Sequence, residues 1–210
     1  MGTPLVQTMV LERLERSADI EISGKNLSPF SLTHIRFENI KITEKDMFIL
    51  NAENAVLTFS AVETLLGQIP LVVRARNLKL ILKEDALISF FSEVPLETLD
   101  AKIKIFSGKG VWIESLDLKG KDLELTAHGK LIKEGKGESD LKAKLVIPAD
   151  FPGKGFKVLT QNIFSKNTSP SSSAKPLTFE FELRGDRTHP QISLQSDLVS
   201  FDVREGVTTS

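Results

Sequence analysis

The chain has 210 residues, 40% apolar and 26% charged, a balance that supports a folded core and argues against disorder. Its 27 basic and 28 acidic side chains leave a formal net charge of -1, so the basic excess that neutralises phosphates is absent and no nucleic-acid partner is expected. With no cysteine there can be no disulfide, thiolate metal ligand or cysteine nucleophile, and 13 Phe against one Trp and no Tyr give aromatic area without a hydroxyl.

Residues 4–17 predict a helix, with Pro4 suited to its first turn, Leu5, Met9, Leu11 and Leu14 broadly on one side, and Glu12, Arg13, Glu15 and Arg16 over the rest. Two roles stay open for it: capping the end of a sheet, or meeting a membrane or a partner. The residues before it lack the basic and apolar regions of a secretory signal, and no apolar run reaches the roughly 18 residues of a membrane span. The expectation is that a native N-terminal anchor has been removed.

From Asp19 the apolar period falls to two, which predicts strands. Ile20 and Ile22 alternate with polar residues up to Gly24. Ile35 and Phe37, then Ile40 and Ile42, do the same, with a phase slip near Glu38 and Asn39 that predicts a bulge or bend. Residues 47–59 form a further strand. Residues 60–66 predict a short helix, capped by Ser60, with Glu63 three residues on and Gly67 at its end. Residues 69–82 return to strand, with Leu78, Leu80 and Leu82 on one face.

Residues 85–95 are ambiguous and permit a helical turn. Regular strands then carry Ile103 and Ile105, Val111 and Ile113, Leu116 and Leu118, Leu123 and Leu125, Leu131, and Leu141 to Ile147, separated by Gly-Lys breaks. Residues 151–164 predict a loop and short helix, and 167–176 a flexible connector. Leu177, Phe179, Phe181 and Leu183 alternate without a break, and Ile192 and Leu194 pair back after a turn at Gly185 and Asp186. Residues 200–210 predict a frayed tail.

No constellation for catalysis stands out. His34, His128 and His189 are each isolated, with no metal-ligand spacing; no serine sits in a nucleophile elbow; and the glycine-lysine stretches at residues 108–110 and 153–155 do not continue into a phosphate loop. Asp117, Asp122 and Glu124 lie among lysines and read as solvated sheet charges. Neither enzyme activity, nor a metal, nor a cofactor is expected.

The pattern predicts a mainly β fold: a long curved antiparallel sheet, β-groove or taco-like, with a few short helices at the N-terminus and between strands. A sheet oily on one side must be covered by helices, closed on itself as a sandwich, or left open to an apolar ligand, and the predicted helices are few. The candidate lining of an apolar groove is Ile35, Phe37, Phe48, Leu57, Phe59, Leu78, Leu80, Ile103, Ile105, Leu123, Leu125, Phe179 and Phe181, each of which taken singly reads first as plain core. Residues 1–18 are taken as the N-terminal helix, 19–150 as the curved sheet, and 151–210 as a helix or connector with a terminal hairpin completing that sheet.

Residues 27–42, LSPFSLTHIRFENIKI, and residues 52–82, AENAVLTFSAVETLLGQIPLVVRARNLKLIL, resemble the AsmA-like envelope superfamily, in which a strand leads through a short helix ending in Leu-Leu-Gly into strands of alternating leucines. Residues 110–148, GVWIESLDLKGKDLELTAHGKLIKEGKGESDLKAKLVIP, and 176–195, PLTFEFELRGDRTHPQISLQ, resemble the GspN proteins of type II secretion clusters. The resemblance implies a β-groove protein anchored in the bacterial inner membrane and facing the periplasm, with phospholipid or another acyl-chain lipid as ligand. It equally implies a non-catalytic accessory of the type II secretion system, acting on secretion or envelope proteins. It carries no catalytic residue.

Overall fold

The computed structural model describes residues 5–44, 48–82, 94–106, 110–121, 123–132, 137–148, 176–185, 191–196 and 200–204. Helix α1 (Leu5–Ala18) leads into β1 (Ile20–Asn26), β2 (His34–Glu44) and β3 (Phe48–Phe59); α2 (Ala61–Leu65) follows. Then come β4 (Gln68–Leu82), β5 (Val94–Phe106), β6 (Gly110–Lys119), β7 (Glu124–Ile132), β8 (Ser139–Ile147), β9 (Leu177–Gly185), β10 (Gln191–Ser196) and β11 (Ser200–Arg204).

These eleven strands make one antiparallel sheet in chain order, each hydrogen-bonded to the next. Such a meander puts the β1–β2 and β3–β4 connections at the same end of the sheet. Among the described residues β1 and β11 do not pair with each other, so the sheet is curved and open. The closed sandwich left possible by the sequence is not formed.

Registers carry one oily face through the sheet. Ile35 stands opposite Leu57, Leu57 opposite Val73, and Val73 opposite Ala101. Further on, Leu118 faces Leu125, Leu125 faces Leu145, and Leu145 faces Phe179. Alternation places every second side chain on that face.

A crease crosses the first five strands. The register skips at Gly24 in β1, and it passes Asn39, Glu53, Asn77 and Glu97 in β2 to β5. At each of the last four positions two successive polar residues separate inward apolar ones: Phe37-Glu38-Asn39-Ile40, Ala52-Glu53-Asn54-Ala55, Ala75-Arg76-Asn77-Leu78 and Leu96-Glu97-Thr98-Leu99. Asn39 and Asn77 take φ of 53° and 54°, a left-handed conformation that asparagine tolerates better than other residues with a Cβ. The bend expected near Glu38 and Asn39 is therefore one segment of a fold line spanning five strands. Because each strand slips together with its neighbour, the oily side stays on one face beyond the line.

Other expectations shift. Helix α1 follows the predicted side in part: Leu11 and Leu14 pack on the core together with Val6, but Leu5 is 74% exposed and the fully buried positions are Gln7 and Val10. The tail starting at residue 200 contributes β11, which pairs with β10 from Ser200 to Arg204. Val94 and Pro95 belong to β5, and the rest of the ambiguous 85–95 segment lies outside the described residues, as do the loop and helix expected at 151–164 and most of the connector. The Val111–Ile113 and Leu116–Leu118 pairs share the single strand β6, with a register shift between Ile113 and Leu116 that restores the inward phase. Helix α2 matches its prediction, since the Ser60 hydroxyl accepts from the Glu63 N–H at 3.3 Å.

Candidate functional site: an apolar trough

The concave, oily face is not filled. Helix α1 lies along β1 and reaches over to β5 and β6, covering part of the trough. Beneath and beside it remains a cavity of about 490 Å³. Its walls come from β1 to β7 and from Leu14, Ser17 and Ala18 on the last turns of α1. Ser17 and Glu44 are the polar residues of this lining; the others are alanine, valine, leucine, isoleucine and phenylalanine.

The space has a local cause. Ala52, Ala55, Ala75 and Ala101 line the floor on β3, β4 and β5, and Ala55 faces Ala75 directly across the strand pair. Each leaves room that a leucine would occupy, and no facing sheet supplies side chains to fill it.

The residues expected to line a groove divide into three sets. Phe48, Leu57, Leu78 and Ile103 line the cavity, Leu57 and Leu78 being buried core residues as well. Ile35, Phe37, Phe59, Ile105 and Leu123 are buried in the core, and Leu80 packs partly buried against it. Leu125, Phe179 and Phe181 lie on the same face, half-buried, where the trough continues past β7. There the cover thins, and Ile192 in β10 is 48% exposed.

Sequence reasoning missed the contribution of α1 and of the small residues. The alanines carry little weight in an apolar count, although their inward phase is readable from the quartets at the crease.

A polar clasp holds α1 in place. The Gln7 side chain, fully buried, donates from Nε2 to the carbonyls of Ser28 at 2.8 Å, Ser31 at 2.7 Å and His34 at 3.3 Å, and its Oε1 accepts from Asn26 Nδ2 at 2.9 Å. Arg13 donates to the Thr64 carbonyl at 3.1 Å, tying α1 to α2. Glu15 accepts from the backbone N–H of Ile22 at 2.9 Å, which places a carboxylate on the outer strand β1. That contact blunts one open edge of the sheet.

The opposite, convex face is polar. A hollow of about 330 Å³ lies over β7 to β10, and Lys142 pairs with Glu182 at 3.1 Å and Lys144 with Glu180 at 3.6 Å along it. Hydrogen bonds from Lys142 and then Arg184 hold the Glu182 carboxyl below its usual value. These charges neutralise one another across neighbouring strands. His128 sits on this face, and the Nδ1 of His34 is 2.8 Å from the Ser31 hydroxyl in the loop beneath α1. His189 lies outside the described residues. Among the described residues no group of three potential metal ligands converges, and no helix is long and apolar enough to cross a membrane.

The molecule at this point is defined as an open antiparallel β-trough with one oily side. No protein-family model, curated protein or solved structure matches the chain.

Proposed function

We propose that this chain is a non-catalytic β-groove protein of the bacterial envelope, at the periplasmic face of the inner membrane, which holds lipid acyl chains in its trough. The observation that carries the reading is the cavity of about 490 Å³ with two polar residues in its lining. That volume falls within the range of ordinary ligand sites, roughly 300–1,000 Å³. The resemblance of residues 27–42, 52–82, 110–148 and 176–195 to AsmA-like and GspN proteins supports the same assignment.

Burial of each methylene is worth about 0.8 kcal/mol, so ten of them supply about 8 kcal/mol. That offsets the several kcal/mol of translational and rotational freedom lost on binding, whereas two or three methylenes would not. A long hydrocarbon chain fits this balance, and a small polar metabolite finds few partners here. Native mass spectrometry and lipid extraction of the protein purified from a bacterial host test the reading. Co-purifying phospholipid or fatty acid is the expected result; a protein that stays empty and takes up no acyl chain from solution would overturn it.

A second reading rests on the edges of the sheet. Glu15 blunts β1, but β11 ends the strand order at the other side. A secretion component adding a strand to β11 would make the protein an accessory of type II secretion acting through protein contacts. Capture of such a component by lipid-free protein is the outcome that favours it.

A further inference from the structure

Of the nine large apolar side chains that stand exposed among the described residues, seven sit at one end of the trough. Leu5 opens α1; Leu27, Phe30 and Leu32 lie in the β1–β2 connection; Val62, Leu65 and Leu66 lie in and just after α2, between β3 and β4. The three segments are neighbours. Gln7 of α1 holds the Ser28 and Ser31 carbonyls, the Phe59 N–H donates to the Thr33 carbonyl at 2.9 Å, and Arg13 reaches the Thr64 carbonyl. Phe30 and Leu66 are 74% and 79% exposed. Apolar side chains scattered singly over a surface are ordinary; seven gathered on one tip are not.

Much of the backbone beneath them is paired within the tip itself. The Leu27 N–H donates to the Arg36 carbonyl at 2.8 Å, the Ser28 N–H to Asn26 Oδ1 at 2.8 Å, and the Ser31 N–H to the Ser28 carbonyl at 3.1 Å. The Thr33 N–H donates to the Ser31 hydroxyl at 3.3 Å, and Pro29 has no N–H to satisfy. At the end of α2, Leu66 and Gly67 donate to the Val62 and Thr64 carbonyls, each at 3.1 Å. Hydrocarbon penalises an unpaired backbone group and asks otherwise only for apolar area. A protein partner would instead be met by a strand edge or free hydrogen-bonding groups, and this tip has paired the N–H groups of Leu27, Ser28, Ser31 and Thr33 within itself. Lys25 and Glu38 at its base pair at 2.8 Å, and the exposed Glu63 in α2 and Arg36 in β2 are of opposite sign, so no excess charge points to an acidic or basic partner.

We infer that this tip dips into the interfacial layer of a lipid bilayer, with Phe30, Leu32, Leu65 and Leu66 entering first. The inference extends the acyl-chain reading: α1 begins in the tip and ends, at Leu14 to Ala18, in the wall of the cavity, so the contact would set the trough beside its source of chains. Residue contacts at the tip and at the trough are separate and can be tested apart.

The test is flotation of the full chain with phosphatidylcholine vesicles, comparing wild type with the double variant Phe30→Ser, Leu66→Ser, neither of which lines the trough. Wild type should associate, with little loss in high salt, and the variant's partition coefficient should fall at least about tenfold. Its thermal midpoint and its uptake of a fluorescent fatty acid from solution should stay unchanged. In a Trp112→Phe background, Phe30→Trp should shift its emission to the blue on vesicles and be quenched by brominated acyl chains. Absence of association by wild type, or association that the double variant keeps, overturns the inference. So do dimers in vesicle-free solution that the double variant abolishes, since a second copy would then cover the tip. Vesicle binding without fatty-acid uptake would remove the acyl-chain reading and leave this one standing.

Discussion

Asn77 donates from Nδ2 to the Glu53 carboxylate at 2.7 Å across β3 and β4, and the two residues face each other at the offset position where both strands cross the crease. The hydrogen bond joins two exposed side chains and contributes little by itself. What the position demands is backbone: Asn77 holds φ at 54°, and the inward phase of Leu78 depends on it. Asn77→Val should cost about 1–2 kcal/mol through left-handed strain at a β-branched residue. Asn77→Gly should stay within about 1 kcal/mol of wild type. Urea denaturation of both variants checks this, and equal losses would show that the side-chain contact, not the backbone, matters.

Gln7 is the only buried link between α1 and the β1–β2 loop that satisfies several carbonyls at once among the described residues. Gln7→Met keeps most of the volume and removes the amide. The Ser31 carbonyl then loses the Gln7 amide and the Ser28 carbonyl keeps only the Ser31 N–H, at a cost of about 2–4 kcal/mol. Hydrogen exchange should speed up first in α1 and at residues 26–34, before the rest of the sheet. A uniform change across all strands would count against α1 as a separately held cover.

The alanine floor sets the capacity of the trough. Ala75→Leu should fill part of the cavity, weaken acyl-chain uptake at least about fivefold, and leave the thermal midpoint equal or higher, because a void is replaced by contacts. In the wild type, affinity for fatty acids should rise about fourfold per added methylene until the cavity is full, following about 0.8 kcal/mol per group. A flat dependence on chain length, measured by displacement of a fluorescent fatty acid, would contradict burial of the chain.

On the polar face, hydrogen bonds from Lys142 and Arg184 place the Glu182 carboxyl below the usual 4.5. The folded protein therefore holds that proton more weakly than the unfolded chain. Its contribution to stability is present above pH about 4.5 and is lost as pH falls through the lower folded value. Glu182→Gln should flatten that part of the acid limb in a series of denaturation midpoints taken from about pH 6 to pH 3. An unchanged pH slope would show that the pair does not persist in solution.

Much of the architecture is legible in the residue order. Period-two alternation marks most of the described strands, Ser60 and Gly67 frame α2, and the Phe179–Phe181 strand pairs with Ile192 and Leu194 as its spacing suggests. Even the crease leaves a mark, because two polar residues between two apolar ones recur in β2, β3, β4 and β5, although a single phase slip draws the eye first. Gln7 leaves none. Its partners lie 19 to 27 residues away, and helical periodicity alone would place a glutamine on the wet side. Strand β11 was equally hidden, since a short segment near a chain end reads as a tail until β10 offers it an edge.

The sequence by itself determined which side of each strand is oily, since alternate side chains point to opposite faces and that needs no knowledge of neighbours. Only the tertiary structure decided how much of that oil stays uncovered. Whether Leu80 or Ile103 ends as core or as cavity wall depends on how far the sheet bends at the crease, on where α1 is pinned, and on four alanines gathered on three adjoining strands. Those are relations between distant segments, and burial is a property of the assembled surface.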